Sequence, residues 1–165
     1  MPCSRRMFLR MTANSYKTSA FLGHPALDVC IIAFFLHFVW EFWQAPWYAE
    51  MAAMPHLEGI VLCSRATFGD VVIALFGYAI VSIAVRDWFW MRHATLRRVA
   101  SYIAIGLLIT VFLEFLATDV LNRWQYGPDM WIVPWIETGL APILQWIIIP
   151  LMSVFALRRL WSVRR

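Results

Sequence analysis

The sequence predicts an all-α, polytopic integral membrane bundle of four transmembrane helices with both termini in the cytoplasm. Three observations carry that expectation: the apolar excess, four long apolar runs, and the one-sided placement of the basic residues. Of 165 residues, 62% are hydrophobic and 15% are charged, where soluble domains run at about 45–50% and about 25%. Mean hydropathy is +0.66. A core with 10 Trp and 12 Phe and so few charges cannot be wrapped in a polar surface. This argues against a soluble globular domain and against disorder. The net charge of +4 does not point to nucleic acid, because the basic residues lie between the apolar runs and not on one amphipathic face.

In chain order, residues 1–27 read as a basic cytoplasmic tail. Within it, Ser4-Arg5-Arg6-Met7-Phe8-Leu9-Arg10 looks like a twin-arginine export signal. The polar stretch from Thr12 to Lys17 and the full-length span that follows favour a retained tail over a cleaved signal. A single transmembrane domain is expected over residues 28–157, with spans at about 28–47, 69–85, 100–121 and 134–157, since a bilayer crossing takes about 20 residues. Pro46, Pro55, Pro128 and Pro134 punctuate the first and third turns. Pro142 and Pro150 fall inside the fourth span, where a kink is expected rather than a break. Residues 158–165 form a second basic tail. Of the three cysteines, Cys3, Cys30 and Cys63, none sits in a zinc-type spacing.

Lys and Arg set the orientation. Arg5, Arg6, Arg10 and Lys17 precede the first span, Arg86, Arg92, Arg97 and Arg98 separate the second from the third, and Arg158, Arg159, Arg164 and Arg165 follow the fourth. Only Arg65 and Arg123 fall in the other two loops. The positive-inside rule then places both termini in the cytoplasm, and the expected location is a bacterial inner membrane. Trp43, Trp47, Tyr48, Trp124, Tyr126, Trp131 and Trp135 mark an outer aromatic belt, and Trp88, Trp90 and Trp161 an inner one.

Ionisable residues at membrane depth cost at least about 2.5–3.5 kcal/mol each on insertion scales, so they are the best pointers to function. In the first span His37, Glu41, Gln44 and Tyr48 follow at steps of four, three and four, and lie within about 60° of one another on a helix. In the third span Thr110, Glu114 and Thr118 form a second stripe. Glu41 and Glu114 are each about 20 Å from the start of their outward-running helices, so both carboxyls should meet at one level. Asp70 and Glu137 are expected at the outer rim, with Gln145 two turns deeper. Eight of the 10 acids fall in the outward half, where Arg65 and Arg123 are available to pair with them.

Glu41, Glu114 and His37 are the candidate catalytic residues: Glu41 and Glu114 as acid and base, His37 as proton partner of Glu41. Gln44, Tyr48, Asp70, Thr118, Glu137 and Gln145 are the candidate substrate-binding groups. A histidine and two carboxyls around a dry cavity can deliver and remove protons, and Trp and Phe can stabilise a carbocation. The expected function is binding of a lipid or isoprenoid-like hydrophobic small molecule, with isomerisation or cyclisation as its chemical extension. The four-helix layout with intramembrane acids is similar in outline to the sterol isomerase-like membrane family, and more loosely to small lycopene cyclases; no site residue is carried over from either. A proton- or cation-coupled transport module working as a homo-oligomer is an alternative. So is an accessory or assembly subunit packed on membrane partner helices. No metal, haem or other cofactor is expected, since His24 and His93 fall on the cytoplasmic side and His56 alone accompanies His37 outside. No Ser-His-Asp order or glycine-rich phosphate loop is present.

Overall fold

The structure is a computed structural model that describes residues 22–163. Four helices carry it: α1 over Pro25–Gln44, α2 over His56–Val85, α3 over Leu96–Phe115 and α4 over Leu140–Val163. All four are long and apolar enough to cross a membrane. The tail stretch Ser4 to Arg10, Lys17, Arg164 and Arg165 lie outside the described residues.

Local chemistry explains the helix ends. The His24 imidazole accepts a hydrogen bond from the Ala26 amide and Pro25 occupies the first turn, where its missing N–H costs nothing. Thr95 Oγ1 caps α3 by accepting from the Arg98 amide. Arg86, with φ 54°, ends α2 in the left-handed conformation. α3 closes in a π-helical turn, Leu116–Val120. A two-stranded antiparallel ribbon pairs β1 (Ile132–Val133) with β2 (Thr138–Gly139).

Each helix packs on its two neighbours: α1 on α2 and α4, α3 on α2 and α4. Residues near the starts of α1 and α3 and near the ends of α2 and α4 share one cluster, so consecutive helices are antiparallel in an up-down-up-down bundle. Its two ends differ. At the end holding the α1 N-terminus, Tyr78, Trp90, Tyr102, Leu157 and Trp161 form a close-packed aromatic core. A thinner middle layer of Ala33, Val71, Ala74 and Trp146 follows. The opposite end is capped by loops. There Tyr48 pairs with Tyr126 as an isolated bridge, the Gly127 amide donates to the Trp47 carbonyl at 2.7 Å, and the Ala49 amide donates to the Gln125 carbonyl at 2.9 Å. The helix surfaces carry Phe35, Val39, Phe68, Ile83, Leu108 and Phe112 exposed. So large an apolar surface is foreign to a water-soluble monomer and ordinary for a lipid-facing bundle.

Three features differ from the sequence reading. α2 begins at His56 rather than near Gly69. At 30 residues it is about 45 Å long, beyond the roughly 30 Å of hydrocarbon, so a hydropathy count sees only its apolar part. The fourth helix begins at Leu140, because Pro134 to Gly139 are taken up by the ribbon, and Pro142 falls in its first turn; Pro150 is interior as expected. Trp90 and Trp161 are buried, not belt residues. The Trp161 indole donates to Asp28 Oδ2 at 2.7 Å and ties α4 to α1.

Candidate functional site

The first-span stripe is real and faces inward: His37, Glu41 and Gln44 are all buried. Spacing of four and three on one helix puts them in a row, and the row meets α4 at Gln145. The Gln145 amide nitrogen lies 3.0 Å from Glu41 Oε1, 2.8 Å from Asp70 Oδ2 and 2.9 Å from His37 Nδ1. A primary amide has two hydrogens, so these three acceptors cannot all be served by it at once. One of them must bring its own proton or take one from a neighbour. Gln44 Nε2 also donates to Glu41 Oε1, at 2.8 Å, while Gln44 Oε1 accepts from the Trp40 indole. His37 Nδ1 is 3.4 Å from Asp70 Oδ2, and its ring leans on Trp146 at 5.1 Å between centroids. This joins α1, α2 and α4 through one side-chain amide.

α3 supplies the facing half. Glu114 Oε2 accepts from the Tyr126 hydroxyl at 2.6 Å and from the Trp124 indole at 3.3 Å. Burial raises the Tyr126 phenol above its ordinary value and Glu114 adds to that. Tyr48 is raised by burial first and by Glu114 next. Both phenols therefore stay neutral and can keep donating.

Between these halves is a cavity of about 270 Å³, near the lower end of the roughly 300–1,000 Å³ of ligand sites. Glu41, Asp70, Glu114, Thr110 and Gln145 reach it from all four helices, and Arg123 reaches it from the loop after α3. Its walls are Met51, Met54, Leu62, Ile73 and Leu113. Glu41 is about 24 Å along α1 and Glu114 about 27 Å along α3, so the two carboxyls do open on one space at similar depth.

Of the residues singled out in the sequence, Glu41, Gln44, Tyr48, Asp70, Glu114 and Gln145 line the cavity. Tyr48 does so from beyond the end of α1 rather than from the helix itself. His37 does not line it: it is buried behind Gln145, and its near partners are Gln145 and Asp70 rather than Glu41. Asp70 is not a rim group but sits half-way along α2, because that helix starts earlier than expected. Glu137 is exposed in the ribbon turn, with φ 49°, away from the cavity. Thr118 turns away too, its one hydroxyl hydrogen shared between the Glu114 carbonyl and Asp119 Oδ2. Arg65 and Arg123 form no ion pair with the acids among the described residues.

Sequence reasoning missed Cys63, which lines the cavity wall one turn before Thr67. It also assigned Trp124 and Tyr126 to the belt, although they hold Glu114. Their position depends on how the loop after α3 folds back, which no helical periodicity encodes. Among the described residues there is no group of three or more His, Cys, Asp or Glu placed to hold a metal ion. Compared with protein-family models, curated proteins and solved structures, the chain matches none of them.

Proposed function

We propose that this is an inner-membrane protein of a bacterium, with both termini cytoplasmic, that binds a lipid or isoprenoid-like hydrophobic molecule in the cavity. The observation that supports this reading best is an apolar-walled cavity into which Glu41, Asp70 and Glu114 project from three different helices. Carboxyls at membrane depth cost insertion energy, and interhelical polar contacts return only about 0.6 kcal/mol on average. Helix adhesion alone is thus a poor reason to keep three of them. With the basic residues inside, the cavity lies in the outward half of the bilayer.

Acid–base conversion of the bound molecule is the chemical extension of this reading. A carboxylic acid on one face of an alkene can add a proton to one of its two carbons, leaving the positive charge on the other, and a carboxylate on the other face can take a proton from the next carbon beyond that charge. The double bond then migrates with no change in oxidation state. Glu41 and Glu114 are the pair for these roles. His37 and Asp70, 3.4 Å apart, can hold a proton between them beside Glu41. Tyr126 and Trp124 would stabilise Glu114 as the carboxylate by donating to it.

The test is to purify the full chain in nanodiscs, extract it, and look by mass spectrometry for a hydrophobic compound at near-stoichiometric amount. The expected result is such a compound, lost or strongly reduced in the Glu41→Ala/Glu114→Ala double variant while helicity is kept. Retention of the compound by a folded double variant would show that the site is wrong. A stoichiometric protein partner in place of the compound would favour an accessory subunit.

A further inference from the structure

We propose that the cavity is entered sideways from the bilayer, through a gap between α2 and α3 at Ala66 and Gly69, and that it selects an amphiphile with a hydrogen-bond-donating head, an alcohol or an amine. This rests on the binding role proposed above and names its route and its ligand class.

The route follows from cavity-lining residues that are themselves exposed. Leu62, Ala66, Gly69 and Ile73 fall at steps of four, three and four on α2, and all line the cavity. Leu62, Ala66 and Gly69 are also exposed, as is Leu113 on α3. Exposed residues along one stretch of the cavity wall, on two adjacent helices, mark its open side. Its threshold is built of small groups: a Cβ placed on Gly69 would meet no atom within 4 Å. Counting about 20 residues back from Val85 brings the edge of the hydrocarbon to about Arg65. The gap therefore opens just inside the lipid and not into water.

The ligand class follows from the balance of donors and acceptors. Glu41, Asp70, Glu114 and Glu50 line the cavity, against one guanidinium, Arg123. Apart from Arg123, which is exposed and makes no ion pair among the described residues, the lining donors are engaged: both glutamine amides on Glu41 or Asp70, and the Trp124 indole on Glu114. Two acceptor-bearing groups have nothing to bind. Thr110 lines the cavity, is 7% exposed, and its Oγ1 has no hydrogen-bond partner; Glu50 Oε2 is likewise unpartnered. A buried hydroxyl left unpaired is costly. A hydroxyl or amine head brings the missing donors, whereas a phosphate, diphosphate or carboxylate head would set an anion among the acids.

The test uses the full chain in phosphatidylcholine nanodiscs with four labelled probes: farnesol, farnesylamine, farnesyl diphosphate and palmitate. The alcohol and the amine are expected to bind at least about tenfold more tightly than the two anions, the equivalent of one well-placed hydrogen bond. Thr110→Val, which removes only the hydroxyl, should weaken farnesol by about fivefold to tenfold. Gly69→Leu should fold normally, since its Cβ has room, and should slow or abolish uptake of the probe. Equal or preferential binding of the anions overturns the selectivity, and unchanged uptake by a folded Gly69→Leu overturns the route. If the unaltered chain binds none of the four, both this inference and the binding role fall; if it binds all four alike, only this inference does.

Discussion

Gln145 shows how much one residue can hold. Its single amide nitrogen touches groups on α1 and α2 that are 33 positions apart. Gln145→Leu keeps the volume but leaves His37, Glu41 and Asp70 without that donor. An unsatisfied buried polar group costs about 1–3 kcal/mol, so a lower Tm in detergent is expected, along with loss of any bound compound. Gly106 is a second point of leverage. A Cβ there would lie 1.9 Å from the Trp146 ring, which backs His37. Gly106→Ala should therefore cost about 1–3 kcal/mol by overpacking and disturb the His37 environment, which imidazole NMR shifts can read. The tyrosines set a pH limit. Because burial raises Tyr48 and Tyr126 above their unfolded value of about 10, their contribution is complete below that pH and is lost as pH rises through the folded values. Stability should fall above about pH 10, and Tyr126→Phe should remove part of that fall.

At the level of elements, the two loops at the cavity end act as one lid over the site. The loop after α1 and the loop after α3 are joined at Tyr48 and Tyr126, at Gly127 and Trp47, and by Glu50 Oε1 accepting from the Gln125 amide at 2.8 Å. A Cβ on Gly127 would come within 2.9 Å of the Trp47 carbonyl oxygen, a backbone atom that cannot swing away. Gly127→Val is therefore expected to part the two loops, release Trp124 and Tyr126 from Glu114, and raise hydrogen exchange there while the α1–α4 core stays protected. The helices were legible in the sequence because each carries a long apolar run. The start of α2 was not, because its first turns hold His56, Glu58 and Arg65 and are half-polar. That one misplaced boundary moved Asp70 from rim to interior.

For the whole molecule, orientation is the property that charge counting addresses most directly. Twelve of the 14 basic residues fall before the first helix, between the second and third, or from Arg158 onward, so by the positive-inside rule a reporter fused after Val163 should be active only in the cytoplasm, and one placed at Pro55 only outside. The opposite result would turn the bundle over and move the cavity to the inner leaflet. The bundle is also uneven along its axis, with aromatic packing at one end and a cavity at the other, so heat should loosen the cavity end before the aromatic end. What the sequence by itself determined was the number of spans, their all-α class and the inward stripe of His37, Glu41 and Gln44, because apolar runs and helical periodicity are local properties. Only the tertiary structure decided that Asp70 and Gln145 close on that stripe, that Tyr126 and Trp124 hold Glu114, and that Thr118 and Glu137 stand apart. Those facts depend on the rotation of four helices about their axes and on the path of two loops. Such geometry is set by packing between residues far apart in the chain, and no spacing within one segment records it.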